Sequence, residues 1–176
     1  SKGTGKGLGF DRYFTKSGVN VYDLFTYEKR TSVIRNPAGD AVFEMKNVEV
    51  PASWSQVATD ILAQKYFRKA GVPQPDGSTS SENSIKQVAH RMANCWKIWG
   101  ERYNYFASKE DAAVFYDELV YTIVGQLAAP NSPQWFNTGL HSSYGITGKP
   151  QGHYFVNPDT DKLEKSTSAY ERPQPH

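Results

Sequence analysis

Apolar and polar residues alternate with a period of two through AVFEMK, placing Ala41, Phe43 and Met45 on one side and Val42, Glu44 and Lys46 on the other. That alternation predicts a strand with one buried and one wet face. TSVIR precedes it across the Pro/Gly turn NPAGD, and the two runs together predict a β-hairpin over 31–50. Pro51 has no N–H to give to a ladder and ends the second strand.

The period then changes to that of a helix, three times over. In the first segment Ser53 is a candidate cap, and Val57, Ala58, Ile61, Leu62 and Tyr66 recur at helical spacing until Gly71, with Pro73 just beyond. This predicts a helix of about four turns at 3.6 residues per turn. A polar linker, QPDGSTSSENS, leads to the second, where Thr79 and Glu82 have capping-box spacing and Ile85, Val88, Ala89, Met92, Trp96 and Trp99 form an apolar stripe closed by Gly100. In the third, Ser108 caps a first turn holding Glu110 and Asp111, whose charge complements the helix dipole. Ala112, Phe115, Tyr116, Leu119, Ile123 and Leu127 line its inner face, and Pro130 stops it. Beyond lie NSPQWFNTG, a Gly/Ser/Tyr-rich loop, a short strand candidate in HYFV and a charged turn, PDTDKLEKS.

Composition narrows the functional classes. The 176 residues are 38% hydrophobic and 22% charged, an ordinary globular balance for one domain or slightly more. Twenty basic against eighteen acidic residues give +2, too even for a chain whose main task is coating a phosphate backbone, so no DNA partner is expected. No window approaches the roughly 18 consecutive apolar residues of a bilayer span. A single cysteine, Cys95, permits no internal disulfide, which makes the cytoplasm the expected compartment.

Residues 1–9, SKGTGKGLG, read as a mobile arm. Their glycines miss the dinucleotide spacing, and Lys6 is followed by Gly7 rather than the Ser or Thr of a phosphate loop. His90, His141, His153 and His176 include no pair at the i, i+4 spacing of a helical metal site. Cys95 reads as a buried structural thiol, and Asp159, Asp161 and Glu164 as solvated turn residues. Trp96, Trp99, Tyr103, Tyr105 and Phe106, mixed with Lys97, Glu101 and Arg102, could form a stacking platform for single-stranded nucleic acid, but their helical spacing favours the core. The most informative segment is APNSPQWFNTG. Two prolines bracket Asn131 and Ser132 directly after a helix, presenting a hydroxyl, a carboxamide and N–H groups at a tight bend suited to an anion such as phosphate, though a plain capped turn would carry the same residues.

Long ordered blocks carry a family resemblance: GLGFDRYFTKSGV; YEKRTSVIRNPAGDAVFEMKNVEVPASWSQVATDILAQKYFRKAGVP; IKQVAHRMANCWKIWG; DAAVFYDELVYTIVGQLAAPNSPQWFNTGL; GHYFVNP; and AYERPQPH. With these the chain resembles the amino-terminal part of the large catalytic chain of adenosylcobalamin-dependent (class II) ribonucleoside-diphosphate reductases. The resemblance implies an enzyme that reduces ribonucleotides to deoxyribonucleotides by thiyl-radical chemistry, with adenosylcobalamin as cofactor and a cysteine pair as reductant. It also implies an α+β, mainly α fold: a flexible arm and lead-in over 1–26, a β-hairpin plus three-helix domain over 27–130, and the start of a ten-stranded α/β barrel over 131–176.

Asn131 and Ser132 are similar to the family's substrate-phosphate segment, so they are the expected substrate-binding residues. PQPH is similar to the stretch just before a reducing cysteine, and no catalytic residue is expected within the chain itself. The expectation is therefore an amino-terminal piece of a split, intein-interrupted or truncated reductase, inactive alone, with a loose tail from Asn131 onward that packs against the remaining barrel. Its expected partners are the ribonucleotide, that barrel and a second copy in a dimer. The competing class is a non-enzymatic module that binds a partner protein or single-stranded nucleic acid through the aromatic helix 85–105.

Overall fold

The computed structural model describes residues 6–172; the start of the Gly/Lys-rich segment (1–5) and the closing PQPH, with His176, lie outside the described residues. Strands β1 (Tyr27–Arg35) and β2 (Ala41–Pro51) form the predicted antiparallel hairpin. Its turn is closed by Asn36, whose Oδ1 accepts the Asp40 N–H at 2.9 Å, with Gly39 at φ 90°. Arg30 faces Val48 but Ser32 faces Met45, so β2 carries one extra residue, and Asn47 absorbs it at φ 58°. The bulge switches which positions face inward. Ahead of it Phe43 and Met45 are only half-buried and Ala41 is exposed, whereas Val48 and Val50 beyond it are completely buried.

Helix α1 (Gln56–Ile61) continues into a single π turn, Leu62–Tyr66. Its cap is Ser55, whose Oγ accepts the Ala58 N–H at 3.1 Å, and Ser53 stays exposed ahead of it. The helix therefore begins later and ends earlier than the periodicity predicts, with Phe67 N–H closing on Leu62 O at 3.0 Å. The polar linker folds back on itself as β3 (Val72–Pro73) paired with β4 (Thr79–Ser80). Thr79 is thus a strand residue. The cap of α2 (Ile85–Arg102) is Ser84, in a capping box with Gln87, whose Oε1 accepts the Ser84 N–H at 3.0 Å. Gly100 does not close α2, which runs on to Arg102.

Helix α3 (Lys109–Val124) starts on Ser108 as predicted, with Glu110 and Asp111 in its first turn, and Gly125 ends it. It packs against α2, and Val48, Val50, Leu62, Val88, Met92, Val120 and Ile123 form the core between hairpin and helices. The lead-in is laid along α3 rather than free. Leu8 N–H bonds Tyr105 O at 2.7 Å, Arg12 Nη1 meets Asp117 Oδ2 at 2.6 Å, and Phe14 stacks on Tyr121 with centroids 4.9 Å apart.

Residues after Pro130 fold as α4 (Ser132–Asn137), α5 (Leu140–Tyr144) and a hairpin of β5 (Tyr154–Asn157) with β6 (Lys162–Lys165). The first two lie on α2 with Trp135, Thr138 and Leu140 buried, which is not the loose packing expected from Asn131 onward. The strand in HYFV finds its partner in KLEK, part of the expected charged turn. Of the three acids read as solvated, Glu164 is half-buried, accepting from Asn157 Nδ2 at 2.9 Å, and Asp159 pairs with Arg102. The architecture is α+β, built of helices and short antiparallel hairpins. Among the described residues no helix is long and apolar enough to cross a membrane.

Candidate functional site at the bend before α4

Asn131 stands at φ −69°, ψ 161° and turns the chain into α4, with Pro133 in the first helical turn. Its side chain is exposed and makes no capping bond. Gln134 and Trp135 both donate their N–H groups to the Asn131 carbonyl, at 3.0 and 3.4 Å, and Pro133 has none to give. The N–H groups anticipated at this bend thus turn inward. What it offers a ligand is the exposed Ser132 hydroxyl and the Asn131 carboxamide.

Ser132 Oγ lies 3.2 Å from the Tyr66 hydroxyl at the end of the π turn. The Tyr66 ring stacks on Trp135 with centroids 5.2 Å apart and a 20° interplanar angle, and Trp135 Nε1 donates to Pro130 O at 2.7 Å. Beside this pair runs an apolar groove of about 160 Å³ with Trp54, Ile61 and Leu62 on its walls. The site is therefore two hydroxyls and a carboxamide at the rim of an aromatic ledge.

The ledge rests on a buried ion pair. Glu82 and Arg91 are both fully buried, with Arg91 Nε 3.0 Å from Glu82 Oε2. The same guanidinium donates to the carbonyls of Trp135 (2.6 Å), Thr138 (2.9 Å) and Tyr66 (3.3 Å). Glu82 in turn accepts from Arg68 N–H at 2.8 Å and from the Tyr144 hydroxyl at 2.7 Å. Burial, then the neighbouring Glu82 charge, pushes the Tyr144 phenol well above its ordinary range, keeping it a donor. Sequence reasoning missed this cluster, having placed Glu82 in a capping box with Thr79. The available signal was Arg91 itself, a charge flanking the apolar stripe of α2.

Cys95 is buried, and burial raises its thiol pKa, as befits a structural role. Of the aromatic run Trp96 packs against the core and the Phe106 ring sits edge-on to Phe10 at 5.8 Å, but Trp96, Trp99, Tyr103 and Phe106 are only part-buried, and Trp99 and Tyr103 line an open cleft. Tyr105 alone of that run stands well exposed. Among the described residues no three His, Cys, Asp or Glu side chains come together as a metal site, and His90 Nδ1 lies 2.7 Å from the Tyr116 hydroxyl.

Comparison with known proteins bears on residues 28–126, which match the family model described as class II vitamin B12-dependent ribonucleotide reductase. The chain is 50% identical to the vitamin B12-dependent ribonucleotide reductase of Bradyrhizobium diazoefficiens, over 94% of this chain and 16% of that protein. It is 47% identical to the enzyme of the same name from Agrobacterium fabrum, over 94% of this chain and 15% of that one. A third, from Rhodopirellula baltica, is 34% identical over 98% of this chain and 16% of its own length. The chain thus spans about a sixth of the relatives it matches. With more than half of its residues under the family model, the chain belongs to the class II vitamin B12-dependent ribonucleotide reductases.

Proposed function

We propose that the chain serves as the amino-terminal part of a reductase that converts ribonucleotides to deoxyribonucleotides, and that Ser132 and Asn131 hold the substrate's phosphate. The observation that carries this reading is the exposed Ser132 hydroxyl paired with Tyr66 on a buried scaffold, within a segment similar to the family's phosphate-holding stretch. A hydroxyl can donate to a phosphate oxygen, and such charge-assisted bonds are stronger than neutral ones. Following the resemblance, the proposed substrate is a ribonucleoside diphosphate, the proposed compartment the cytoplasm and the proposed working form a dimer, with residues from 131 onward proposed to open a ten-stranded barrel.

Adenosylcobalamin, when bound to the complete enzyme, supplies the radical that starts the chemistry. This chain's residues orient: Ser132 and Asn131 fix one end of the substrate, and the α2–α3 core keeps that edge rigid. The buried thiol of Cys95 is no candidate for radical or reducing chemistry, so the chain alone is expected to be inactive.

In the complete reductase, Ser132→Ala should raise KM for the ribonucleotide by the equivalent of about 1–2 kcal/mol of lost hydrogen bonding, with a smaller effect on kcat. An unchanged KM would remove the assignment.

A further inference from the structure

Arg91 sits fully buried 44 and 47 residues before two carbonyls that it binds, those of Trp135 in the last turn of α4 and of Thr138, the residue that ends the helix. Helix ends leave such carbonyls without intrahelical partners, and a cation there meets the negative end of the helix dipole. The third carbonyl, that of Tyr66, closes the π turn after α1. One guanidinium therefore collects the ends of two separate elements. The two side chains that meet over the bend, Tyr66 and Ser132, belong to these same elements.

Three features make this a positioning device rather than generic stabilisation. Buried ion pairs add little net stability over apolar residues of similar volume, whereas a planar fork of donors fixes the relative placement of everything it bonds. Glu82 sets the fork's orientation by taking Nε and Nη2 at 3.0 and 3.3 Å, and its remaining capacity is filled by Arg68 N–H and Tyr144 Oη. Gly139 brings the chain directly onto α2 at the same residue. A Cβ at Gly139 would lie 1.9 Å from the Arg91 carbonyl oxygen, and its φ of 84° is one that glycine adopts without strain.

We propose that Arg91, oriented by Glu82, is a positioning residue for substrate binding: it holds Tyr66 and residues 135–138 in register so that the Tyr66 hydroxyl, 3.2 Å from Ser132 Oγ, orients the Ser132 hydroxyl on the substrate phosphate. The inference rests on the phosphate-holding role proposed for Ser132. Lysine at position 91 keeps the charge but, as a single ammonium, cannot hold three carbonyls and a carboxylate in one plane.

The test is a double-mutant cycle in the complete reductase. Arg91→Lys and Tyr66→Phe are each made in the wild-type and Ser132→Ala backgrounds, and KM and kcat are read separately. Both variants should raise KM for the ribonucleotide, by about 5- to 10-fold for Arg91→Lys and about 3-fold for Tyr66→Phe, with kcat changed less. In the Ser132→Ala background both effects should shrink toward 1-fold, because the partner they position is gone. Tyr66→Phe removes one exposed oxygen and keeps the test open if Arg91→Lys does not fold. Ser132→Ala raising KM while Tyr66→Phe and a folded Arg91→Lys leave it unchanged would overturn the positioning role alone. Effects of full size in both backgrounds would overturn it too, since Arg91 would then act by another route. An unchanged KM in Ser132→Ala would overturn the phosphate assignment and this inference with it.

Discussion

His90 on α2 and Tyr116 on α3 meet at 2.7 Å, imidazole Nδ1 to phenol oxygen, and Tyr116 passes the chain on to the Tyr22 hydroxyl at 2.8 Å. Burial, and then the charge of Lys97, lowers the His90 pKa below its ordinary 6.5. Burial likewise raises both phenols, so the three groups form a neutral network.

A neutral histidine in the native state predicts acid sensitivity. Below pH 6.5 the unfolded chain takes up a proton at His90 that the folded chain resists, so stability present at neutral pH is lost as pH falls from 6.5 toward the lowered native value. His90→Gln removes that titration. Its denaturation free energy should fall less than that of the parent between about pH 7 and pH 5. Equal pH slopes for the two proteins would show that His90 carries no such linkage.

Gly100 tests whether α2 needs a glycine. Replacing an interior helical glycine by alanine ordinarily stabilises by about 1 kcal/mol. Here a Cβ would lie 2.3 Å from Phe106 Cε2. The ring cannot swing away freely, because Phe115 packs on it at 5.2 Å and Leu8 bridges the adjoining backbone. Overpacking of this kind costs about 1–3 kcal/mol, which outweighs the propensity gain. Gly100→Ala should therefore destabilise in urea denaturation, and the same change in a Phe106→Leu background should stabilise.

Local chemistry was legible in the sequence and distant chemistry was not. Ser108 stood out because a cap acts within three residues and Glu110 and Asp111 reinforced it. Ser53 and Ser55, two residues apart, offer the same local signal, and Ser55 is the cap because Trp54 between them is buried, its Nε1 donating to Val124 O at 2.8 Å. The bulge at Asn47 shifted the inward face of β2 through a single left-handed residue, a conformation asparagine tolerates without advertising it. At the candidate site the bend was visible from its two prolines, while Tyr66 lies 66 residues from Ser132 and no periodicity links them. Glu82 and Arg91 were hidden for the same reason, since what makes them a pair is complete burial by elements gathered from across the fold.

Removing one member of that pair should be costly. Glu82→Ala would leave the Arg91 guanidinium buried without its carboxylate and strip Arg68 N–H and the Tyr144 hydroxyl of their acceptor. A loss of about 3–5 kcal/mol is expected in chemical denaturation, as for other buried pairs broken on one side. The double replacement Glu82→Leu with Arg91→Met should recover much of it, because no uncompensated charge remains. A double variant as unstable as Glu82→Ala would mean that the carbonyls of Tyr66, Trp135 and Thr138 depend on Arg91 for stability as well as placement.

Glu118 decides whether the lead-in stays on α3. Its Oε2 accepts the Phe14 N–H at 3.0 Å and its Oε1 the Thr15 N–H at 2.9 Å, with the Thr15 hydroxyl on the same oxygen. Burial pushes this carboxyl up, but the donors from Phe14 and Thr15 outweigh it and hold the pKa below its ordinary 4.5. A lowered native pKa means the contribution is present above pH 4.5 and is lost as pH falls below it, when the native state must accept a proton it disfavours. Glu118→Gln leaves one oxygen for three donors and turns an amide toward the others. Exchange at the Phe14 and Thr15 amides should accelerate by about tenfold at neutral pH, while amides in the middle of α2 keep their protection. The parent should show the same acceleration when acidified below pH 4.5, after correction for intrinsic exchange, and the variant should not. Equal exchange in both proteins at every pH would mean that packing, chiefly Phe14 stacked on Tyr121, holds the lead-in without the carboxylate.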